Sequence, residues 1–118
     1  MITLYGIPNC DTVKKARRWL DQHGVDYQFH DFRSDGLEAT QVDQWLAKLG
    51  WETLLNRRST SWKQLDPALR ECMDDSAALG AVLESPTLIK RPLLDTGSAL
   101  HVGFSDKAYQ DIFQKHTL

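Results

Sequence analysis

The sequence predicts an α/β fold in which a four-stranded mixed sheet is interrupted by a helical insertion. Three observations predict it: a β-α-β pattern over residues 1–30, an almost wholly helical middle third, and a β-β-α pattern from residue 85 onward. A β-α-β unit pairs two parallel strands through a crossover helix, and a later hairpin adds antiparallel strands to the same sheet. The 118 residues are enough for a single domain with its own core.

Hydrophobic periodicity defines the β-α-β unit. The apolar run Ile2-Thr3-Leu4-Tyr5 predicts the first strand, and the alternation over residues 25–30 predicts a second, half-buried one. The helix between them ends at Gly24. Its apolar positions recur at helical spacing: Val13, Ala16, Trp19 and Leu20.

The middle third carries only helical patterns. One helix ends at Gly50, and residues 51–55 predict a short helix after it. The first of these has apolar positions at Val42, Trp45, Leu46 and Leu49. Asp66 and Pro67 have the residue types of an N-cap and a first helical position, with an apolar stripe of Leu69, Cys72 and Met73 behind them. Ser76 is expected to cap a last short helix that runs through Leu83.

The closing third predicts a hairpin and a helix. Apolar runs over 86–94 and 99–103 flank a turn containing Gly97, and Ser105 is expected to cap the final helix. The apolar face of that helix is Ala108, Tyr109, Ile112 and Phe113. This order fits a thioredoxin-like domain. Residues 1–35 and 85–118 would form the thioredoxin-like part, and 36–84 the helical insertion.

Composition limits the partners. The 14 basic and 16 acidic side chains give a net charge of -2, so the overall field does not favour nucleic acid or an anionic membrane, although local basic patches are compatible with it. The first residues lack a signal-peptide pattern, and no apolar run approaches the ~20 residues that span a bilayer. We therefore expect a cytoplasmic monomer that binds neither nucleic acid nor a membrane.

Cys10 is the leading candidate for a reactive residue. It lies where the first strand passes through Gly6-Ile7-Pro8-Asn9 into the first helix. The unpaired amides and positive dipole end of a helix N-terminus favour a thiolate. The alternative is a small buried apolar residue, since free cysteine is often buried. Pro8, Asn9 and Asp11 are turn residues, and turns lie at the surface, which favours the functional interpretation.

The remaining cysteine and the histidines predict no metal site. Two cysteines are too few for a disulfide scaffold or a cysteine-built zinc site. Cys72 could resolve a disulfide at Cys10 if the fold brings it close, but its place on an apolar stripe favours the core. Metal-ligand spacing is absent among the four histidines, which are His23, His30, His101 and His116.

Three stretches that together span nearly the whole chain carry a family resemblance. They are Leu4–Leu20 around Cys10, Arg57–Leu65, and Leu88–Leu93 together with Val102-Gly103-Phe104. In them the chain resembles the family that joins glutaredoxin-type arsenate reductases (ArsC) to the Spx regulators, and it is closest to the YffB branch. The resemblance implies a thioredoxin-like fold with a helical insertion, and it implies that Cys10 is the catalytic thiol.

The resemblance also implies a set of binding residues. Arg91 would hold the anionic end of glutathione or substrate, because a guanidinium offers paired donors to a carboxylate or oxyanion. The Spx branch implies the same role for Arg58. Pro92 corresponds to the family's active-site proline, commonly cis. Apart from the resemblance, Lys14 would add positive potential near Cys10, and Asn9, the residue before Cys10, completes the expected set. Without the resemblance, surface arginines and a first-turn lysine are more often solvated, and Pro92 could simply mark a strand start.

Departures from the family pattern bear on the choice of function. Arsenate reductases of this type have an arginine where this chain has Asn56, and a third one in the region of His101-Val102-Gly103, so the resemblance gives arsenate reduction little support. Arg57 or Arg58 could replace one of them. Spx regulators carry a second cysteine at the position of Val13. A Cys-x-x-Cys dithiol is therefore impossible here, and Cys10 needs an external resolving thiol.

Three functions follow, in order of preference. The first is a glutathione-dependent monothiol oxidoreductase, a thiol/disulfide reductase in which Cys10 attacks through a mixed disulfide. It holds no bound cofactor and uses glutathione or another small thiol as co-substrate, with glutaredoxin or a protein disulfide as a further partner. The second is a non-catalytic, Spx-like regulator that binds RNA polymerase or another protein. The third is an arsenate reductase.

Overall fold

The computed structural model describes residues 2–116 of the chain, with side chains through residue 113. It contains four strands, seven α-helices and one 3₁₀ turn within that range. The strands are β1 (Thr3–Gly6), β2 (Gln28–Asp31), β3 (Leu93–Asp95) and β4 (Leu100–Val102). The helices are α1 (Asp11–Gln22), α2 (Ala39–Leu49), α3 (Trp51–Leu54), α4 (Thr60–Lys63), α5 (Pro67–Glu71), α6 (Asp75–Glu84) and α7 (Asp106–His116), and the 3₁₀ turn is Pro86–Leu88.

The four strands form one mixed sheet in the order β2-β1-β3-β4. Strand β1 pairs parallel to β2 and antiparallel to β3, and β3 pairs antiparallel to β4. In the register, Tyr5 lies opposite His30 and Leu93, and Leu93 lies opposite Val102. The predicted α/β class with a four-stranded mixed sheet is confirmed.

The sheet separates two hydrophobic clusters because successive side chains of a strand point to opposite faces. Leu4 and Leu94 pack with α1 and α7, where Ala16, Leu20 and Tyr109 are buried. The other face carries Tyr5 and Leu93, which belong to the cluster formed with the buried side chains of α2 and α6, among them Val42, Trp45, Leu46, Ala78 and Val82. The helices between β2 and β3 thus cover one face, and α1 and α7 cover the other.

Several predicted boundaries were wrong. Strand β2 begins at Gln28, so residues 25–27 are not strand, and the run expected to open the hairpin contains the 3₁₀ turn, with β3 starting only at Leu93. Helix α6 begins one residue before Ser76, and its N-cap is Asp74, whose carboxylate accepts a hydrogen bond from the amide of Ala77 at 2.7 Å.

Helix α4 is a short element that the sequence patterns did not predict. Its N-cap is Ser59, whose Oγ accepts a hydrogen bond from the amide of Trp62 at 3.1 Å. Trp62 is buried and stacks on Trp51, with ring centroids 6.0 Å apart. Of the four tryptophans of the chain, three are buried core residues: Trp19, Trp45 and Trp62.

Other predicted features hold. Helix α1 buries the four predicted positions, α2 stops at Gly50, Asp66 and Pro67 start α5, and Ser105 Oγ accepts a hydrogen bond from the amide of Ala108. Among the helices of the described range, none is long and apolar enough to cross a membrane. The division of the chain into domain parts stays a prediction.

Candidate active site

Cys10 occupies the N-cap position of helix α1. Its backbone is extended, with φ -92° and ψ 127°, and its carbonyl accepts a hydrogen bond from the amide of Lys14 at 2.9 Å. Its own amide donates to the carbonyl of Ile7 at 3.3 Å, which closes the loop between β1 and α1. The side chain is half-buried and packs against the cluster on the α2 and α6 side of the sheet.

The cap geometry leaves the first amides of α1 without a side-chain partner. Within the described range, Cys10 makes no side-chain hydrogen bond to the helix start, unlike the caps of α5 and α6. Unpaired N-terminal amides and the helix dipole stabilise negative charge at this point. A thiolate at Cys10 would therefore lie where the backbone favours an anion.

Pro92 and Gly103 lie at the same end of the sheet as the Cys10 loop. The loop leaves from Gly6 at the end of β1, and the register places Leu93 beside Tyr5 and Val102 beside Leu93. The Arg91-Pro92 bond is cis, Pro92 is buried, and its carbonyl accepts a hydrogen bond from the amide of Gly103 at 2.9 Å. Arg91 is half-buried and comes just before β3. It therefore lies at the end of the sheet where the chain leaves β1 toward Cys10.

A backbone bridge joins a second segment to the residues before Arg91. Leu55 and Ile89 form an isolated antiparallel bridge, in which the amide of Asn56 donates to Leu88 and the amide of Lys90 donates to Leu54, both at 2.8 Å. The side-chain oxygen of Asn56 accepts a hydrogen bond from the amide of Arg58 at 3.0 Å. Asn56 thus organises the turn that carries Arg57 and Arg58.

A cavity of about 500 Å³ opens at this bridge. It is lined by three cationic side chains, Arg57, Arg58 and Lys90, together with Glu52, Leu55 and Asn56. Arg57 also lies over the ring of Trp51, 5.7 Å from its centroid. The lining includes neither Cys10 nor Arg91. The cavity is therefore a basic site next to the segment that carries Arg91, and it does not surround the thiol.

A model of the ArsC family matches residues 5–112, nearly the whole chain. The chain belongs to the ArsC family. An uncharacterised protein from Haemophilus influenzae is 48% identical to this ArsC-family chain over 114 residues, which cover 96% of the chain and 99% of that protein. The global transcriptional regulator Spx 2 from Lactococcus lactis is 31% identical over 109 residues, 91% of this chain and 82% of the regulator.

Solved structures extend the comparison. A structure named YFFB protein superposes on this ArsC-family chain with a TM-score of 0.89 at 43% identity, and the match covers 94% of this chain and 97% of that one. An arsenate reductase (ArsC) related protein from Brucella melitensis gives a TM-score of 0.79 at 44% identity, covering 95% and 93%. The predicted membership in the ArsC/Spx family, in its YffB branch, is confirmed, and so is the thioredoxin-like fold.

The structure of this ArsC-family chain separates the predicted site residues into two groups. Cys10, Asn9 and Lys14 lie at the start of α1, with Asn9 and Lys14 exposed. Arg91 and Pro92 lie at the same end of the sheet, whereas Arg58 is exposed in the turn that the bridge holds near Lys90. The roles assigned to these residues stay predictions.

Arg57 and Lys90 are the cationic residues that sequence reasoning did not select. Both line the cavity with Arg58, and Lys90 directly precedes Arg91. The family resemblance offers Arg57 only as a replacement for a missing family arginine. Nothing in the sequence except its charge marks Lys90 as a site residue. It lies near the turn that carries Arg57 and Arg58 because Leu55 and Ile89 pair in the bridge.

Cys72 departs from its predicted place in the core. It is exposed, and it is the C-cap of α5, one residue beyond the helical part of the expected stripe. Of that stripe, Met73 is buried and Leu69 is half-buried. Both cysteines are free thiols. Across the residues that the structure describes, no cluster of three or more His, Cys, Asp or Glu side chains could hold a metal ion.

Proposed function

We propose that this ArsC-family chain is a glutathione-dependent thiol/disulfide oxidoreductase with Cys10 as its nucleophile. The observation that carries the proposal is the position of the thiol: a half-buried cysteine at the N-cap of a 12-residue helix, without a side-chain cap bond there. Such positions favour the thiolate, which is the attacking species in thiol–disulfide exchange.

The chemistry needs two exchange steps. The Cys10 thiolate attacks a disulfide sulfur, a new bond forms between Cys10 and that sulfur, and the other sulfur leaves as a thiolate that takes a proton from water. A glutathione thiolate then attacks the sulfur bound to Cys10, so that a disulfide forms between glutathione and that sulfur while the bond to Cys10 breaks and Cys10 leaves as its thiolate. When that sulfur belongs to glutathione, the product is glutathione disulfide, and the two electrons come from the two glutathione thiols. An external thiol is needed because the position three residues after Cys10 is Val13.

Cationic side chains support the choice of an anionic thiol. Glutathione carries two carboxylates, and Arg91 at the sheet end and Arg58 with Lys90 at the cavity offer charge-assisted donors to such groups. The cavity volume of about 500 Å³ is in the range of small-molecule sites. Asn9 and Lys14, exposed beside Cys10, would contact the part of glutathione nearest the reacting sulfur.

The decisive experiment compares the two single-cysteine variants with wild type. Each protein is incubated with glutathione disulfide and weighed by intact mass spectrometry, and turnover of a low-molecular-weight disulfide is followed with glutathione and glutathione reductase. We expect a glutathione adduct and turnover in wild type and Cys72→Ser, and neither in Cys10→Ser. Turnover in Cys10→Ser equal to that of wild type would eliminate the proposal.

The arginine assignment has its own readout. Arg91→Ala and Arg58→Ala should raise the KM for glutathione by roughly tenfold or more, because a hydrogen bond to a charged group contributes about 1.5–3 kcal/mol. Arg33→Ala, an exposed arginine after β2, is the matched control and should leave the KM unchanged. An unchanged KM in Arg91→Ala would remove that residue from the site.

A second candidate is supported by the Spx likeness, which covers 91% of this chain at 31% identity. Under this alternative the chain is a regulator that binds RNA polymerase or another protein without catalysis. It predicts a stoichiometric complex with purified RNA polymerase that survives Cys10→Ser. Arsenate reduction is the third candidate. Direct assay of arsenate with glutathione and glutaredoxin decides it.

A further inference from the structure

Positive charge is concentrated in the first two turns of α1. Residues 11–18 hold four of the 14 basic side chains of the chain and one of its 16 acidic ones, so this segment carries a charge of +3 in a chain whose net charge is -2. The segment begins directly after Cys10. The local charge next to this thiol is therefore positive, although the net charge of the whole chain is negative.

Three of these cations are exposed and, among the described residues, have no ion-pair partner. Lys14, Lys15 and Arg18 are exposed, and none of them forms an ion pair in the part of the chain that the structure describes. Arg17 differs, because its Nε donates to the hydroxyl of Tyr27 at 3.3 Å and its guanidinium lies 4.2 Å from the ring centroid of Phe29. Arg17 is thus held toward β2, and the other three project to water.

The three free cations lie on one side of the helix. At 3.6 residues per turn, Lys14, Arg18 and Lys15 fall within an arc of about 100° that also holds Asp11. We call Lys14, Lys15 and Arg18 the basic face. Lys14 lies one turn beyond Cys10, about 6 Å along the axis, and Arg18 lies about 12 Å along it. At 100° per residue Cys10 falls about 40° outside this arc, on the side of Lys14, so a chain lying along the face comes nearest the thiol at Lys14.

The basic face borders a groove of about 320 Å³ between α1 and the start of α7. Lys15 and Arg18 line it with Trp19, Gln22, Phe104 and Asp106. Asp106 is the one acid of this lining, so the groove keeps a net positive charge. Gln22 offers amide donors, and the two aromatic rings form an apolar floor beside the cations.

We propose that the basic face docks an acidic polypeptide segment of a protein disulfide substrate and presents its disulfide to Cys10. The inference rests on the proposed function and narrows its substrate to proteins with Asp or Glu beside the reactive cysteine. Charge complementarity speeds association and orients the encounter. Cys10 then exchanges with the substrate disulfide, forming one S–S bond as the substrate's bond breaks and its second sulfur departs as a thiolate.

Polypeptide is a better match for this face than nucleic acid. Three cations spread over about 6 Å of the helix axis suit a short acidic segment, whereas the phosphate contacts of a duplex-binding protein can number about 6–10. Asp11 within the arc and Asp106 in the groove lining interrupt the positive charge, which a continuous phosphate backbone could not avoid. Discrete carboxylates can meet the cations between these acids.

The test uses the full chain in a Cys72→Ser background and three short peptides of equal length. Each peptide carries one cysteine as a mixed disulfide with thionitrobenzoate, and the flanking residues are Asp and Glu, Ser, or Lys. Release of the coloured thionitrobenzoate gives the second-order rate constant. At low ionic strength we expect the acidic peptide to react at least tenfold faster than the basic one. Near 1 M salt, where the Debye length is ~3 Å, the two rates should approach each other.

Charge reversal locates the effect. Lys15→Glu/Arg18→Glu should abolish or invert the preference while the Ser peptide keeps its rate. Lys48→Glu/Lys63→Glu makes the same change in net charge at exposed lysines of α2 and α4 and should keep the preference. Far-ultraviolet circular dichroism checks that both variants are folded.

The outcomes separate this inference from the proposed function. Equal rates for the three peptides, or a preference that survives Lys15→Glu/Arg18→Glu, would overturn the docking inference alone. No reaction of Cys10 with any peptide would overturn the proposed function as well. Tight binding of a DNA duplex that is lost in Lys15→Glu/Arg18→Glu, combined with equal peptide rates, would reassign the face to nucleic acid.

Discussion

Gly6 and Val13 meet where strand β1 passes helix α1, so closely that a Cβ on Gly6 would lie 2.8 Å from Cγ2 of Val13. Val13 is fully buried, and its branched side chain has little rotamer freedom in a helix. The loop that carries Cys10 runs between these two residues. Glycine at position 6 therefore sets the distance between strand and helix, and with it the position of the thiol.

Gly6→Ala should lower the free energy of unfolding by about 1–3 kcal/mol, the usual cost of overpacking a core. Urea denaturation measures it. Gly80→Ala is the matched control, because Gly80 is exposed in α6 and an added Cβ meets no atom within 4 Å. Alanine there should stabilise by roughly 0.5–1 kcal/mol, since glycine is a poor helix former.

The double variant identifies the cause. If the clash with Val13 carries the effect, Gly6→Ala/Val13→Ala should lose less stability than the two single changes together, because each change relieves the other. Strict additivity would argue against the contact. A Gly6→Ala protein as stable as Gly80→Ala would show that the strand and helix can move apart at little cost.

The start of α6 offers a test of cap assignment. Asp74 accepts the amide hydrogen bond of Ala77, whereas Ser76 lies inside the helix and is exposed. Asp74→Ala should therefore cost about 1 kcal/mol of stability, and Ser76→Ala should change it by less than about 0.5 kcal/mol. Thermal denaturation of the two variants measures the difference. The reverse order would restore Ser76 as the cap.

This cap shows where prediction from sequence stops. Asp74, Asp75 and Ser76 stand in succession, and Asp and Ser both serve as N-caps, so local chemistry alone does not choose among them. Long periodic helices such as α1 and α2 were predictable because burial of one face determines their pattern. The pattern of residues 86–91 predicts a strand, but only Ile89 among them pairs with another segment, in the isolated bridge to Leu55.

The candidate site divides in the same way. Cys10 was identifiable because a strand-to-helix junction is a local signal, and Pro92 because the family resemblance marks it. The grouping of Arg57 and Arg58 with Lys90 could not be predicted, because it depends on a pairing between segments far apart in sequence. Exposure of Cys72 was also missed, because α5 ends one residue too early for that side chain to join the apolar stripe.

Tyr109 should make stability fall at alkaline pH. Its side chain is 1% exposed, and burial raises the pKa of its phenol well above the ordinary value of 10.0. Above that ordinary value the unfolded chain loses the proton while the folded protein keeps it, so the free energy of unfolding declines as pH rises, by up to ~1.4 kcal/mol per pH unit. Urea unfolding near neutral pH and at about pH 11 measures this decline.

Tyr109→Phe isolates that effect. Among the described residues the Tyr109 hydroxyl has no hydrogen-bond partner, so its removal should leave stability at neutral pH unchanged or slightly raised. The alkaline decline should become shallower. It should not vanish, because burial and the nearby Asp95 also raise the pKa of Tyr5. An identical decline in both proteins would mean that Tyr109 ionises equally in the folded and unfolded states.

Alkylation at neutral pH should distinguish chemical activation from mere access at the two cysteines. Cys72 is exposed and Cys10 only half-buried, so access alone predicts faster reaction at Cys72. We expect the opposite order: Cys10 in Cys72→Ser should react with iodoacetamide faster than Cys72 in Cys10→Ser. The physical reason is that the unpaired amides and the dipole at a helix N-terminus favour an anion, and the thiolate is the form that iodoacetamide alkylates. In urea the two variants should react at equal rates, since the helix is gone.

Faster reaction of Cys72 in the folded proteins would show that the N-terminus of α1 does not activate its cap residue. That result would shift support from the oxidoreductase to the protein-binding alternative.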